Sequence, residues 1–333
     1  MARQTLAKLA GLVVALTITC FLFMISLGYG YTPTTIGMVF EAYQANDGSA
    51  EHSVITTMRM PRALLAVLVG AALAVSGLIM QALTRNPMAS PGILGVNAGA
   101  SLAVVIAVTM FSVSSLSGYM WFAFAGAFIA AITVYALGAS GPEGLTPLKM
   151  TLAGAALAAL FSSFTSFFLI LNEQTLDQVL FWLSGSVEGR GMEVIGPVLP
   201  FLLLGFVLSL FMGVKINALS VGEDVAKGLG QRTWVVKGAG LFIVVLLSGG
   251  AVAMAGPIGF IGLIIPHITR GLVGVDHRWL IPYCAVLGAA LLLASDIAAR
   301  FILYPTEVPV GVATAVVGAP FFIYLARKGV MKG

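Results

Sequence analysis

Apolar runs of about 20 residues recur from one end of the chain to the other, and this repetition leaves few architectures open. A helix rising about 1.5 Å per residue needs about that many residues to cross the hydrocarbon core of a bilayer. With a mean hydropathy of +1.03 and only 9% charged residues, too little polar surface remains to cover a soluble globule. A spanning β-barrel would alternate polar and apolar residues over segments of about ten, and these runs do not alternate. The sequence predicts an all-α integral membrane protein with ten transmembrane helices over 6–27, 62–83, 93–111, 119–138, 148–171, 192–213, 234–253, 257–272, 279–297 and 309–326. The seventh and eighth spans divide at Ala255-Gly256-Pro257, and Gly259, Gly262 and Pro266 interrupt the eighth.

Charge placement orients the bundle, because Lys and Arg beside short loops favour the cytoplasmic face. With the N-terminus inside, Arg3, Lys8, Arg85, Lys149, Lys215, Lys227, Arg232, Lys237, Arg270, Arg278, Arg327, Lys328 and Lys332 are cytoplasmic. Arg59, Arg62, Arg190 and Arg300 fall outside, together with acids that include Glu41, Asp47, Glu51, Glu173, Asp177, Glu188, Glu193, Asp296 and Glu307. Both termini are therefore expected in the cytoplasm. This bias accounts for the pI near 9.1 without a nucleic-acid partner. The first run lacks a small-x-small cleavage pattern and is kept as a span. Cys20 and Cys284 fall inside spans, where buried thiols are expected rather than a disulfide or metal site.

Residues 1–333 form one polytopic domain, with outer loops at 28–59 and 172–191 and an inner loop at 214–233. No G-x-x-x-x-G-K-[ST] phosphate loop occurs, so no nucleotide site of that kind drives transport on this chain, and no catalytic residue or cofactor is expected. Ion-coupled transporters carry ionisable groups near the bilayer midplane, and here mid-span positions are nearly free of charge. Asp296 lies near the outer end of its span and His267 near the inner end of another. A passive channel, a structural subunit, or a permease driven by a separate ATPase remains. Clusters such as Gly70-Ala71-Ala72 and Gly99-Ala100-Ser101 predict closely packed helices.

The longest charged segment, Lys215 to Lys237, sits between two apolar runs. Glu223 and Asp224 near the start of a short helix, with Lys227 a turn later, suit a rigid element, and glycines at both ends let the chain turn. An ordinary solvated loop would carry the same charges.

Five stretches point to one family: Arg59-Met60-Pro61-Arg62 at the second span, RNPMASPGILGVNAGAS at 85–101, GEDVAKGLG at 222–230, GPIGFIGLIIPHITR at 256–270, and DIAARFILYPTEVPVGVATAVVGAPFFIYLARK at 296–328. Together they resemble the iron-siderophore, haem and cobalamin permeases of bacterial ATP-binding cassette (ABC) importers, in order and over essentially the whole chain. The resemblance implies a bacterial cell-membrane location and a second permease subunit, identical or homologous. It also implies two cytoplasmic ABC ATPases that carry ATP and Mg, and an extracytoplasmic substrate-binding protein. A ferric siderophore is favoured as substrate, with haem or cobalamin as alternatives.

The same resemblance assigns ATPase coupling to Val221, Gly222, Glu223, Asp224, Val225, Ala226, Lys227, Gly228, Leu229 and Gly230. It assigns binding-protein docking to Arg59, Arg62 and Arg300, whose guanidinium groups suit bidentate pairing with carboxylates. Internal pairing with Asp296 or Glu307 is the alternative. Phe161, Ser162, Thr165, Ser166 and Phe168 are expected to line the path, although a packed helix interface gives the same pattern. The inner constriction maps onto Asn86, Pro87, Met88, Pro147 and Leu148, and the hydroxyl side chains that some members carry at the last two positions are missing here.

Overall fold

A computed structural model describes residues 2–30, 34–44, 48–140, 146–303 and 306–327. Asp47, Lys328, Lys332 and the Tyr304-Pro305 pair of the closing motif lie outside the described residues, as do the side chains of Glu173 and Asp177. Among the described residues the regular structure is helical throughout. In chain order the helices are α1 (Ala2–Gly28), α2 (Ile36–Gln44), α3 (Ala50–Ser53), α4 (Met60–Thr84), α5 (Val96–Phe111), α6 (Leu116–Ala139), α7 (Pro147–Leu171), α8 (Glu173–Leu183), α9 (Met192–Val221), α10 (Glu223–Gly228), α11 (Thr233–Val244), α12 (Gly250–Ala255), α13 (Ile261–Val273), α14 (His277–Ile302) and α15 (Val310–Arg327).

Every predicted span coincides with an apolar helix, yet they are not alike in length. Seven helices are long and apolar enough to cross a membrane: α1, Ala50–Thr84, α6, α7, α9, Thr233–Ala255 and α14. The helices α5, α13 and the apolar part of α15 are shorter. For α13 the reason is local: α12 stops where Gly256 takes a left-handed φ of 75°, and helix resumes only at Ile261. Such non-helical backbone is tolerated at depth only inside protein. Here the loop after α8 provides the cover, with the Ser186 amide donating to the Ala255 carbonyl at 2.8 Å.

The loops are also more helical than the sequence suggested. Helix α9 runs to Val221 rather than 213, so the first eight residues of the expected inner loop continue a span. The outer segment 28–59 holds α2, α3 and a π-turn over Val54–Arg59 that feeds directly into α4. Only Cys284 is a buried thiol, bonded to Thr269; Cys20 lies on the exposed side of α1, where it fills no core space.

Helix α4 is the axis of the bundle, since every residue from Val69 to Thr84 is buried. Two glycines allow this. A Cβ on Gly70 would collide with the Gly288 carbonyl of α14, and one on Gly77 with the Gly262 carbonyl of α13. The buried Gln81 then satisfies the Gly262 carbonyl, its amide donating to Gly262 O at 3.2 Å and its carbonyl accepting from Arg270 at 2.7 Å. By contrast α7 buries only Met150, Gly154 and Thr165, so nearly all of its surface faces out of the subunit.

Candidate functional site

At the end of the bundle where α4 begins, the three arginines of the RMPR motif and α14 gather, and two of them share Asp296 as acceptor. Arg62 lies in the first turn of α4, and its Nε and Nη2 reach Asp296 Oδ1 at 3.0 and 2.8 Å. Its Nη1 lies 2.7 Å from Glu307 Oε2. Arg300, one turn after Asp296 on α14, donates to Asp296 Oδ2 at 2.5 Å and to the Ser26 and Tyr29 carbonyls at 2.9 Å. The Ser26 carbonyl lies in the last turn of α1 and that of Tyr29 just past it, so the cation caps the negative end of that helix. Arg59 donates to Leu27 O at 2.9 Å and to the Thr34 hydroxyl. Within the subunit all three guanidinium groups therefore turn inward and tie α1, α4 and α14 together. Of the two roles open from sequence, the geometry displays the internal pairing for Arg62, with Asp296 and Glu307, and for Arg300, with Asp296, whereas Arg59 is held by the Leu27 carbonyl and the Thr34 hydroxyl. Burying a paired carboxylate is cheaper than leaving the Arg62 and Arg300 guanidinium groups there without one.

Arg190 differs. Its Nε donates to Ser186 O at 3.0 Å, whereas Nη1 has no hydrogen-bond partner among the described residues. The side chain is 3% exposed, and burial pushes its pKa down to about 10. Two residues earlier, burial and then the neighbouring Glu307 push the Glu188 carboxyl up. Both line a cavity of about 490 Å³ whose wall includes Arg59, Arg62, Arg300, Glu193 and Glu307. The sequence counts Arg190 among the four cations expected outside but gives it no role, because no family motif surrounds it.

At the opposite end, α10 is pinned rather than free. Glu223 Oε2 accepts from Lys237 Nζ at 2.8 Å and Oε1 from Thr233 Oγ1 at 3.1 Å, with Lys227 Nζ at 3.5 Å. These bonds hold the Glu223 carboxyl below its usual range, the Lys237 contact contributing most. Ala226 is buried beneath the helix, and Gln231 donates to Lys215 O at 3.0 Å. Gly230, at φ 78°, makes the left-handed exit that favours glycine; Gly222 is extended and needs no such freedom. Asp224, Lys227 and Gly228 face solvent, and so do the apolar Val221, Val225, Leu229 and Trp234. Of the two acids, only Asp224 is turned outward.

The expected path residues divide. Ser162, Thr165 and Ser166 of α7 line one recess together with Asn97 and Ser101 of α5, both inside the 85–101 motif. Phe161 and Phe168 are not part of that recess; the Phe161 carbonyl accepts from Thr165 Oγ1 at 2.8 Å, and Phe168 stacks edge-on with Phe167. At the other end of α4, Asn86 Oδ1 accepts from the Met88 amide at 2.9 Å, closing a turn through Pro87. Pro147 opens α7 under the Thr146 cap, and Leu148 is exposed beside it.

Residues 18–328 match the model of the FecCD transport family. The chain is 50% identical over 320 residues to the "Probable siderophore transport system permease protein YfiZ" of Bacillus subtilis (strain 168), covering 94% of this chain and 96% of that one. It is 43% identical over 327 residues to the Fe(3+)-citrate import system permease protein YfmD of the same organism, covering 98% and 97%. A solved structure described as an inward-facing conformation of a metal-chelate type ABC transporter superposes with a TM-score of 0.82 at 32% identity, covering 96% of this chain and 98% of that one. Sequence and fold agree along the whole length: this chain belongs to the FecCD transport family.

Proposed function

We propose that this protein is the membrane-spanning permease subunit of a binding-protein-dependent ABC importer that carries a ferric siderophore inward. ATP is hydrolysed on two separate cytoplasmic subunits, and a second permease completes the path. The single domain crosses the bacterial cell membrane ten times with both termini inside, the short α5, α13 and α15 completing their crossings with the irregular turns that precede them. The observation that carries this reading is α10: a short helix fixed to its own bundle by Glu223 and presenting Val225, Leu229 and Asp224 outward. A rigid lever with an apolar tip is what a soluble ATPase needs in order to move the spans.

On the outer face, docking is proposed at the mouth of the cavity walled by Arg59, Arg62 and Arg300, with the buried Arg190, whose Nη1 has no partner among the described residues, as a further cation in that wall. Substrate passes along the hydroxyl and amide groups of α5 and α7 toward the turn at Asn86–Met88 and the start of α7.

Proteoliposomes containing the permease, the ATPase and the binding protein provide the test. Radiolabelled ferric siderophore should accumulate only with ATP and all three components. Flux through the permease alone, independent of ATP, would instead identify a channel.

A further inference from the structure

A groove between α1, α13 and α14 belongs to neither end of the transport machinery. One face of α1 forms its long wall, with Gln4, Lys8, Gly11, Ala15 and Ile18 following the helical repeat, and Tyr283 and Leu272 lie opposite. From Gln4 to Ile18 it runs about 21 Å along the axis, longer than the roughly 15 Å of one leaflet's hydrocarbon. It encloses about 690 Å³. One residue beyond Ile18 it closes, where Thr19 Oγ1 meets the Val286 carbonyl at 3.3 Å.

The two ends of the groove differ in chemistry. Toward Ile18 the lining is apolar, but the mouth carries Gln4 and the Lys8 ammonium. Lys8 has no carboxylate partner among the described residues; its Nζ lies 5.9 Å from the centroid of the Trp279 ring, a position that holds a cation without neutralising it. The backbone is shaped to keep this arrangement. Tyr283 donates its hydroxyl to the Lys8 carbonyl at 2.5 Å, and a Cβ at Gly11 would sit 2.5 Å from that hydroxyl oxygen. The basic mouth lies on the side that the Lys and Arg distribution assigns to the cytoplasm, where bilayer anionic lipids concentrate.

We infer that this groove is a binding site for an anionic phospholipid of the surrounding bilayer, with its phosphate at Lys8 and Gln4 and an acyl chain lying along α1 toward Ile18. The full chain, purified in detergent and exposed to equimolar phosphatidylglycerol and phosphatidylcholine, is examined by native mass spectrometry. Phosphatidylglycerol should be retained preferentially. Lys8→Gln should lower that retention about fivefold and leave phosphatidylcholine unchanged, the effect of one cation near a lipid surface. Lys8→Arg should restore it, and Ala7→Phe, filling the groove from its open side, should displace both lipids. Equal retention of the two lipids, or phosphatidylglycerol retention indifferent to Lys8→Gln, would overturn the assignment. So would exclusion of lipid by a second copy of the chain seated in the groove, seen as a dimer that Ala7→Phe dissociates.

Discussion

Asp296→Ala separates an internal from an external role for the outer arginines. Asp296 is 1% exposed and accepts from Arg62 and Arg300 at 2.5–3.1 Å. Its removal leaves Arg62 with Glu307 and Arg300 with the Ser26 and Tyr29 carbonyls and the Ser26 hydroxyl. The buried Arg300 then has no carboxylate partner among the described residues, and Arg62 keeps only Glu307. Breaking a buried pair by deleting one partner costs about 3–5 kcal/mol, because the stranded charge stays desolvated. At about 2 °C per kcal/mol for a chain of this size, the unfolding midpoint should fall by about 6–10 °C. Thermal unfolding in nanodiscs, followed by tryptophan fluorescence, measures it. Asp296→Asn should cost nearly as much, since shape without charge does not neutralise two guanidinium groups. A shift below about 2 °C for both variants, with binding-protein affinity lost, would refute the internal latch and return Arg62 and Arg300 to the docking surface.

Leu229→Asp should weaken ATPase assembly about tenfold or more by placing a charge in the apolar contact, with the midpoint unchanged because Leu229 is exposed; co-purification of the complex reads this. The Glu223 carboxyl is held below its usual range, so its pinning of α10 is present above a pH of about 4.5, the ordinary glutamate value, and is lost as pH falls through the depressed folded-state value; Glu223→Gln should abolish that acid-side change in proteolytic protection of 222–231. Arg190→Gln should lower binding-protein affinity about tenfold while basal ATPase activity holds, and titration calorimetry at two salt concentrations distinguishes it from a general charge effect. Gly77→Leu should fail to yield folded protein, because its side chain enters the backbone of α13; expression alongside Gly228→Ala, which meets nothing, is the control.

Hydrophobicity and charge bias determined, from the sequence alone, a helical membrane protein and the location of its helices, because an apolar run has nowhere stable to go except across the bilayer. The family motifs located the element at 222–230, and the structure made it a helix. What sequence did not decide is direction. Glu223 and Asp224 are neighbours with the same charge, yet one is tied inward to Lys237 and the other faces solvent, since a helix turns about 100° per residue and only packing fixes its rotation. Likewise Arg62 and Arg190 are both cations on the sparsely basic face. Only the tertiary fold brings Asp296, 234 residues away along the chain, against the first and leaves the second with a nitrogen unpaired among the described residues. A partner's identity in a buried pair depends on which helices pack side by side, and that is set by close approaches such as Gly70 on Gly288 rather than by any local pattern.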